Sequence, residues 1–346
     1  MPKDAYGAPE SGFVLVVRHI SRHVSPFFMG EKKFGDRIFM AVLSKYQISM
    51  TRLMCHMITM FSVLFVVLYL FKSDFLTISV AGLKGEPLIY SFLFLLIGFL
   101  LAVLNWRYLL ELSGYKLTVS QCIYSVGLSV FAKYIPGKIW SALGRASLVA
   151  QCGVPLHHAL LISIHQQVLF ISSGLILGFI GLAVSGNYGL ANLSMYLMVI
   201  VLSIFIVLPK FRNFLFNIVG RLFKNHIEPI DLGVCPLLKI MCLFFVQWGF
   251  WSFGFYFLSS ALLQNEIPLL STSFAFPLSV CLGILSLISP GGIGVREGVL
   301  VGALGIMGLP LSDSTTISLV ARLWFLIGEI SIFLKALIVK KTKMVY

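Results

Sequence analysis

The residues best suited to chemistry in this sequence are charged side chains that lie beside two helix-breaking Pro-Gly motifs. The segment KYIPGKIWSALGR (133–145) places Lys133, Lys138 and Arg145 around Pro136-Gly137. A cation at the start of a helix, beside its unpaired backbone N–H groups, favours binding of an anion. Lys138 and Arg145 are seven residues apart and share one helix face. We expect the three cations, with Pro136 and Gly137, to hold a phosphate; alternatively, they snorkel to the headgroup layer and only fix topology.

The second motif, SPGGIGVREG (289–298), combines four glycines and a proline with an adjacent acid and base. Glycine permits a tight turn and close approach of the backbone to a ligand. The helix predicted from about residue 293 points its first N–H groups at the break. We therefore expect a second part of the substrate site here, while the alternative is a helix-packing turn whose charges neutralise each other. The predicted site residues are Gly291, Gly292, Gly294, Arg296 and Glu297.

A third pair of charges, Arg322 and Glu329, lies in the last apolar segment. The two residues are seven apart and face one way. Charges at membrane depth are costly in lipid, so we expect both to face the bundle interior and to pair with each other's neighbours or with Arg296 and Glu297. A role in gating or charge coupling and a purely structural role remain open alternatives.

Other polar and aromatic residues have simpler interpretations. The polar run 165–167 and Gln247 are expected to line a cavity or to bond between helices. Metal binding by the histidines lacks an accompanying ligand motif, so we predict no metal, no cofactor and no catalytic residue. Trp106 and Trp140 lie near segment ends and are expected to be interfacial anchors.

The composition places these motifs in a bilayer. The 346 residues are 58% hydrophobic and 11% charged, with a mean hydropathy of +0.96, which is untypical of a soluble domain. The predicted fold class is all-α, a polytopic helix bundle with about six full spans and two broken-helix hairpins. The six spans are 53–71, 88–104, 159–184, 192–208, 236–262 and 314–339. The hairpins cover about 117–151 and 271–308.

The distribution of charge predicts the topology. The net charge of +13 comes from basic residues clustered in loops, which favours a membrane protein over a nucleic-acid binder. If the first hairpin enters from the cytosol and the second from outside, 22 of the 26 Lys and Arg residues become cytosolic. Two oppositely oriented re-entrant hairpins are typical of inverted-repeat transporters. We expect both termini in the cytosol, residues 1–52 as a basic leader, and 53–346 as the membrane domain.

At its two breaks the chain resembles the lysylphosphatidylglycerol synthase transmembrane-region family, also called flippase-like membrane proteins. The resemblance rests on PGK-x-W-x-x-x-G-R at 136–145, PGGIGVREG at 290–298, Gly-Leu-Pro at 308–310 and Ala-Arg-Leu at 321–323. It covers roughly residues 50–340. It implies a bacterial or archaeal plasma-membrane protein that moves, or helps to make, a modified phospholipid or polyprenyl-linked sugar. We expect no synthase domain in this chain and therefore no lysyl transfer.

These observations predict a flippase-like transporter for an anionic phospholipid or a polyprenyl-phosphate-linked glycolipid. The alternative is a membrane-embedded transferase, or an accessory subunit in aminoacyl-phospholipid or glycolipid biosynthesis. No P-loop, G-x-S-x-G or paired-carboxylate motif occurs in the sequence, so a transporter is favoured over an enzyme. The expected partners are the membrane lipid itself and a separately encoded synthase or glycosyltransferase.

Overall fold

The computed structural model of the protein describes residues 84–134, 140–184, 233–263, 267–286 and 290–343. Within these ranges the chain forms helices and turns, and no strand occurs. The chain divides into two units, Met1–Met60 and Phe61–Tyr346, and every described residue belongs to the second. The predicted spans 53–71 and 192–208, and the leader 1–52, lie outside the described residues.

Eight α-helices lie within the described ranges. They are α1 (Gly85–Leu112), α2 (Val119–Ser129), α3 (Trp140–Ala150), α4 (Leu156–Val184), α5 (Val234–Leu262), α6 (Leu269–Leu285), α7 (Val295–Ile306) and α8 (Leu311–Lys343). Two 3-10 turns complete the described structure: the first 3-10 turn is Val130–Tyr134 and the second is Pro290–Gly292. Predicted apolar segments therefore correspond to α1, α4, α5 and α8, each of which begins slightly earlier than expected.

Four of these helices are long and apolar enough to cross a membrane: Gly85–Leu112, Leu156–Val184, Cys235–Leu262 and Leu311–Val339. A helix of this length extends about 40 Å at about 1.5 Å per residue. That exceeds the hydrocarbon thickness of about 30 Å. The protein is therefore a multi-pass membrane protein with an all-helical described structure.

The two broken segments consist of short helices with a 3-10 turn after the first member. Helix α2 begins at a capping box, because Gln121 N–H donates to Thr118 Oγ1 over 3.3 Å while Thr118 N–H donates to Gln121 Oε1 over 2.8 Å. The first 3-10 turn follows α2 directly, and α3 begins at Trp140. In the second segment α6 ends at Leu285 before the second 3-10 turn and α7.

An aromatic core joins the long helices. The ring of Phe325 on α8 lies 5.1 Å from Phe99 on α1, 5.1 Å from Trp251 on α5 and 5.5 Å from Phe276 on α6, measured between centroids. Trp248 extends the core to α4, where it stacks on Phe170 at 4.4 Å. Rings in tilted and edge-to-face contact pack densely at these distances. Phe325 therefore lies where several helices converge.

Helix α8 also packs along α2, the half-helix before the first 3-10 turn. Gly127 permits this contact, because a Cβ there would lie 2.6 Å from the carbonyl oxygen of Ile332. Helix α8 packs against α7 as well. The last helix consequently lies against parts of both broken segments.

Candidate functional site

The two 3-10 turns contact each other inside the bundle. Lys133 is carried by the first turn, and Arg296 lies on the first turn of α7, just after the second. Both cations lie over the same ring: Lys133 Nζ is 5.6 Å and Arg296 Cζ is 4.8 Å from the centroid of Phe325. The structure thus brings together one predicted cation from each break, with an aromatic ring of α8 beneath both.

Lys133 forms an ion pair with Glu329 of α8. The side chain of Glu329 is only 1% exposed, whereas that of Lys133 is 32% exposed. Burial of a carboxylate is costly unless a cation and hydrogen bonds compensate it. Lys133 therefore stabilises the charge of Glu329, and the pair connects the first 3-10 turn to the last helix.

Glu297 performs two functions at the start of α7. Its Oε2 accepts a hydrogen bond from the backbone N–H of Gly294 at 2.7 Å, and its Oε1 pairs with Arg322 Nη1 at 2.7 Å. A carboxylate at this position satisfies an unpaired N–H group and complements the helix dipole. The helix N-terminus that the sequence predicted as an anion site is thus capped by the protein's own carboxylate.

Arg296 is 8% exposed and buried between aromatic rings. Its guanidinium carbon lies 5.0 Å from the centroid of Phe276 and 4.8 Å from that of Phe325. A guanidinium over an aromatic face is attracted by the ring quadrupole. Arg296 and Glu297 are adjacent in sequence but make different contacts. Arg296 lies against the two rings, whereas Glu297 pairs with Arg322.

The three predicted site glycines of the second break adopt left-handed backbone conformations, with φ of 62° at Gly291, 73° at Gly292 and 82° at Gly294. Gly292 also lies close to α6, because a Cβ there would be 2.9 Å from the carbonyl oxygen of Gly283. Residues with a side chain rarely adopt this conformation. The glycines thus permit the turn and the close approach of the second break to α6.

Five predicted site residues form one group, which we call the central charge cluster. The charges of Arg296, Arg322 and Glu329 all act on Lys133, and Glu297 joins through Arg322. The central charge cluster comprises Lys133, Arg296, Glu297, Arg322 and Glu329. The sequence predicts that Arg322 and Glu329 pair with neighbouring charges. In the structure Arg322 pairs with Glu297, just after the second 3-10 turn, and Glu329 pairs with Lys133 on the first.

Arg145 lies in a different environment on α3. Its Nε donates to Ser129 Oγ at 3.5 Å, its Nη1 donates to Gln166 Oε1, and its guanidinium carbon lies 5.3 Å from the ring centroid of Trp106. These contacts connect α3 to the end of α2, to α4 and to α1. Gln166 accordingly bonds between helices, one of the two roles expected for the run 165–167.

The prediction that Trp106 is an interfacial anchor is wrong. Its side chain is 0% exposed, and its indole N–H donates to Ser125 Oγ at 3.1 Å. The reason is that α1 continues to Leu112, beyond the predicted end at residue 104. The short helices α2 and α3 then cover the ring.

Three predicted site residues, Pro136, Gly137 and Lys138, lie outside the described residues.

Sequence reasoning missed the aromatic partners of the cations, namely Trp106, Phe276 and Phe325, and the hydroxyl of Ser129. Nothing in the sequence distinguishes these aromatic residues from the many others in the apolar segments. Their contacts with the cations arise only from the packing of the helices.

Further polar contacts lie outside the central charge cluster. Asn105 Nδ2 donates to Gln247 Oε1 at 2.7 Å and connects α1 to α5, as expected for interhelical bonding by Gln247. In the turn after α1, Tyr115 Oη lies 2.5 Å from His158 Nδ1, and burial raises the pKa of the Tyr115 phenol. No group of three or more metal-ligating side chains occurs within the described ranges.

Comparison with known protein families gives a match that covers most of the chain. The sequence profile described as the lysylphosphatidylglycerol synthase TM region matches residues 51–328. This range contains both 3-10 turns and Arg322, and it ends one residue before Glu329. No curated protein matches the chain.

Proposed function

Because the chain belongs to the lysylphosphatidylglycerol synthase TM-region family, we propose that it moves an anionic lipid between the two leaflets of a membrane. The substrate class is an anionic phospholipid or a polyprenyl-phosphate-linked glycolipid. Family membership supports a role for this membrane protein in lipid-related processes, and we propose transport as its specific activity. The membrane is the plasma membrane of a bacterium or archaeon.

The observation that carries the proposal is the meeting of the two 3-10 turns, with Lys133 and Arg296 over the ring of Phe325. Transferring a lipid headgroup across the hydrocarbon requires its dehydration, which costs several kcal/mol for each unpaired polar group. Cations held at the breaks would offset this cost. The apolar tails of the lipid would remain in the bilayer.

The proposed topology makes both broken segments re-entrant. Helices α2 and α3 enter from and return to the cytosol, while α6 and α7 enter from and return to the outside. Six full spans then include 53–71 and 192–208, and both termini are cytosolic. Residues 1–52 form the basic leader, and 53–346 form the transport domain.

The proposed substrate-binding residues are those of the two breaks, while Arg322 and Glu329 are proposed to control gating or charge coupling. Lys138 lies seven residues before Arg145, a spacing that would place both cations on one helix face. A separately encoded synthase or glycosyltransferase supplies the lipid. The substrate-binding residues are Lys133, Pro136, Gly137, Lys138, Arg145, Gly291, Gly292, Gly294, Arg296 and Glu297.

Reconstitution in liposomes tests the proposal. A fluorescent phosphatidylglycerol is placed in both leaflets, and membrane-impermeant dithionite reports the fraction that reaches the outer leaflet. We expect the full chain to make nearly all of the label accessible and Arg296→Ala to lower the rate about tenfold, since hydrogen bonds to charged groups contribute about 1.5–3 kcal/mol. Lys335→Ala, which removes an exposed cation of the same helix bundle, serves as the matched control.

The mass of the recovered lipid separates transport from catalysis. A transporter changes the leaflet of the lipid and leaves its mass unaltered. New product masses in the presence of aminoacyl or glycosyl donors would instead support a transferase. Unchanged accessibility with the full chain would contradict the transport proposal.

A further inference from the structure

We propose that Arg145 is the residue that first binds the phosphate of the lipid headgroup, and that Gln166 positions its guanidinium for that purpose. The inference rests on the proposed function, since it assigns the first binding step within that site. It distinguishes Arg145 from the other cations of the two breaks, which the sequence pattern treats as equivalent phosphate ligands. Gln166, Trp106 and Ser129 thereby become parts of the site.

The first argument concerns the central charge cluster, in which carboxylates already occupy the expected anion positions. Glu329 pairs with Lys133, and Glu297 both caps α7 and pairs with Arg322. An incoming phosphate at either position must compete with a carboxylate of the protein. Separating a buried ion pair is strongly unfavourable, so the central charge cluster is a poor place for first contact.

Arg296 lies between two aromatic rings and is only 8% exposed, whereas Arg145 is half-buried. Arg145 differs from Lys133 and Arg322 because its described partners are all neutral. They are the hydroxyl of Ser129, the amide oxygen of Gln166 and the ring of Trp106. Its Nη2 group donates no hydrogen bond to any described residue, and no described carboxylate pairs with its charge. Arg145 therefore retains both positive charge and N–H donors for an external anion.

The surroundings also hold the guanidinium in one orientation. Trp106 lies 5.3 Å from its carbon and is itself fixed by the indole hydrogen bond to Ser125. Gln166 is buried, which limits the movement of the Nη1 edge. An oriented guanidinium binds phosphate through two parallel N–H bonds, whereas a lysine provides only a point charge.

The neutrality of Gln166 is central to this inference. Glutamine accepts the hydrogen bond of Arg145 without cancelling its charge. Glutamate at the same position would make Arg145 resemble Lys133, which already has a carboxylate partner. The change Gln166→Glu therefore tests the inference while the side-chain shape is conserved.

Binding is measured with the full chain in nanodiscs of zwitterionic phosphatidylcholine, with fluorescent phosphatidylglycerol as the probe. We expect Gln166→Glu and Arg145→Lys each to raise the apparent Kd about tenfold, consistent with the contribution of a charged hydrogen bond. The matched control is Gln167→Glu, which adds the same charge one residue along α4 at a half-buried position. We expect its Kd to equal that of the unmodified protein.

An unchanged Kd in Gln166→Glu, or an equal loss in Gln167→Glu, would overturn the inference. Arg145→Lys provides the same test should Gln166→Glu fail to fold, as judged by its melting curve in the nanodisc. Inorganic phosphate is added as a competitor, and displacement of the probe at equal concentration would show a site for free phosphate instead of a lipid headgroup.

The proposed function is tested separately in the same preparations. A protein that binds phosphatidylglycerol through Arg145 but fails to move it would contradict transport and leave this inference intact. A protein that moves the lipid with normal binding in Gln166→Glu and Arg145→Lys would contradict this inference alone.

Discussion

At the second 3-10 turn the balancing carboxylate is local, whereas at the first it comes from the far end of the chain. Glu297 follows the second turn directly and caps the helix that it begins. Lys133 on the first turn obtains its partner, Glu329, from 196 residues away. The carboxylate of the second break therefore lies on the helix that follows the break. The carboxylate of the first break reaches Lys133 only when α8 packs against α2.

This difference predicts which break depends more on tertiary structure. At the second, Glu297 has a backbone partner in Gly294 besides its cation Arg322. At the first, the ion pair joins the 3-10 turn to a buried position on α8. Disruption of the first pair should accordingly cost more than disruption of the second.

The largest effect is expected for Lys133→Ala. The substitution removes the ammonium group that compensates Glu329, so the free energy of unfolding should fall by about 3 kcal/mol, the lower end for a broken buried pair. Reversible unfolding in mixed detergent micelles measures the change. The double change Lys133→Met with Glu329→Met removes both charges and should recover most of the loss. A double variant as unstable as the single one would show that the pairing of charges is not the cause.

An intermediate effect is expected within the second break itself. Gly292→Ala introduces a Cβ 2.9 Å from the carbonyl oxygen of Gly283 at a φ of 73°, so we expect a loss of about 2 kcal/mol. The matched change Gly298→Ala places a Cβ with no heavy atom within 4 Å and should be neutral or slightly stabilising. Melting temperatures in detergent compare the two. Equal melting temperatures would contradict the close approach of the second 3-10 turn to α6.

The smallest effect is expected for the cap of α7. Glu297→Ala removes the acceptor for Gly294 and the partner of Arg322, while Glu297→Gln removes the charge and keeps an acceptor. We expect the alanine variant to be less stable than the glutamine variant by about 1 kcal/mol, the usual value of a capping hydrogen bond. Unfolding of both variants under the same conditions checks this difference. Equal stabilities would show that Glu297 acts through its charge alone.

The sequence predicts the helices well because the bilayer imposes a simple rule. Long apolar runs mark α1, α4, α5 and α8, and Pro-Gly motifs mark the two breaks. The positions of the helix ends are less well predicted. Helix α1 continues through Arg107 and Glu111 to Leu112, beyond the predicted end of the apolar span at residue 104.

The candidate site is only partly predictable for a different reason. Charged residues are rare in the membrane, so Lys133, Arg145 and Glu329 are conspicuous in the sequence. Their partners are not, because an ion pair across 196 residues leaves no local pattern. Likewise, Trp106 can be read as an anchor or as a core residue until its neighbours are known.

Arg322 and Glu329 lie two helical turns apart on α8, which corresponds to about 10 Å along the axis. One residue bonds to the helix after the second 3-10 turn and the other to the first 3-10 turn. Helix α8 cannot slide or rotate without disturbing both ion pairs. The last helix therefore links the two broken segments, and a displacement of either one would be transmitted to the other through α8.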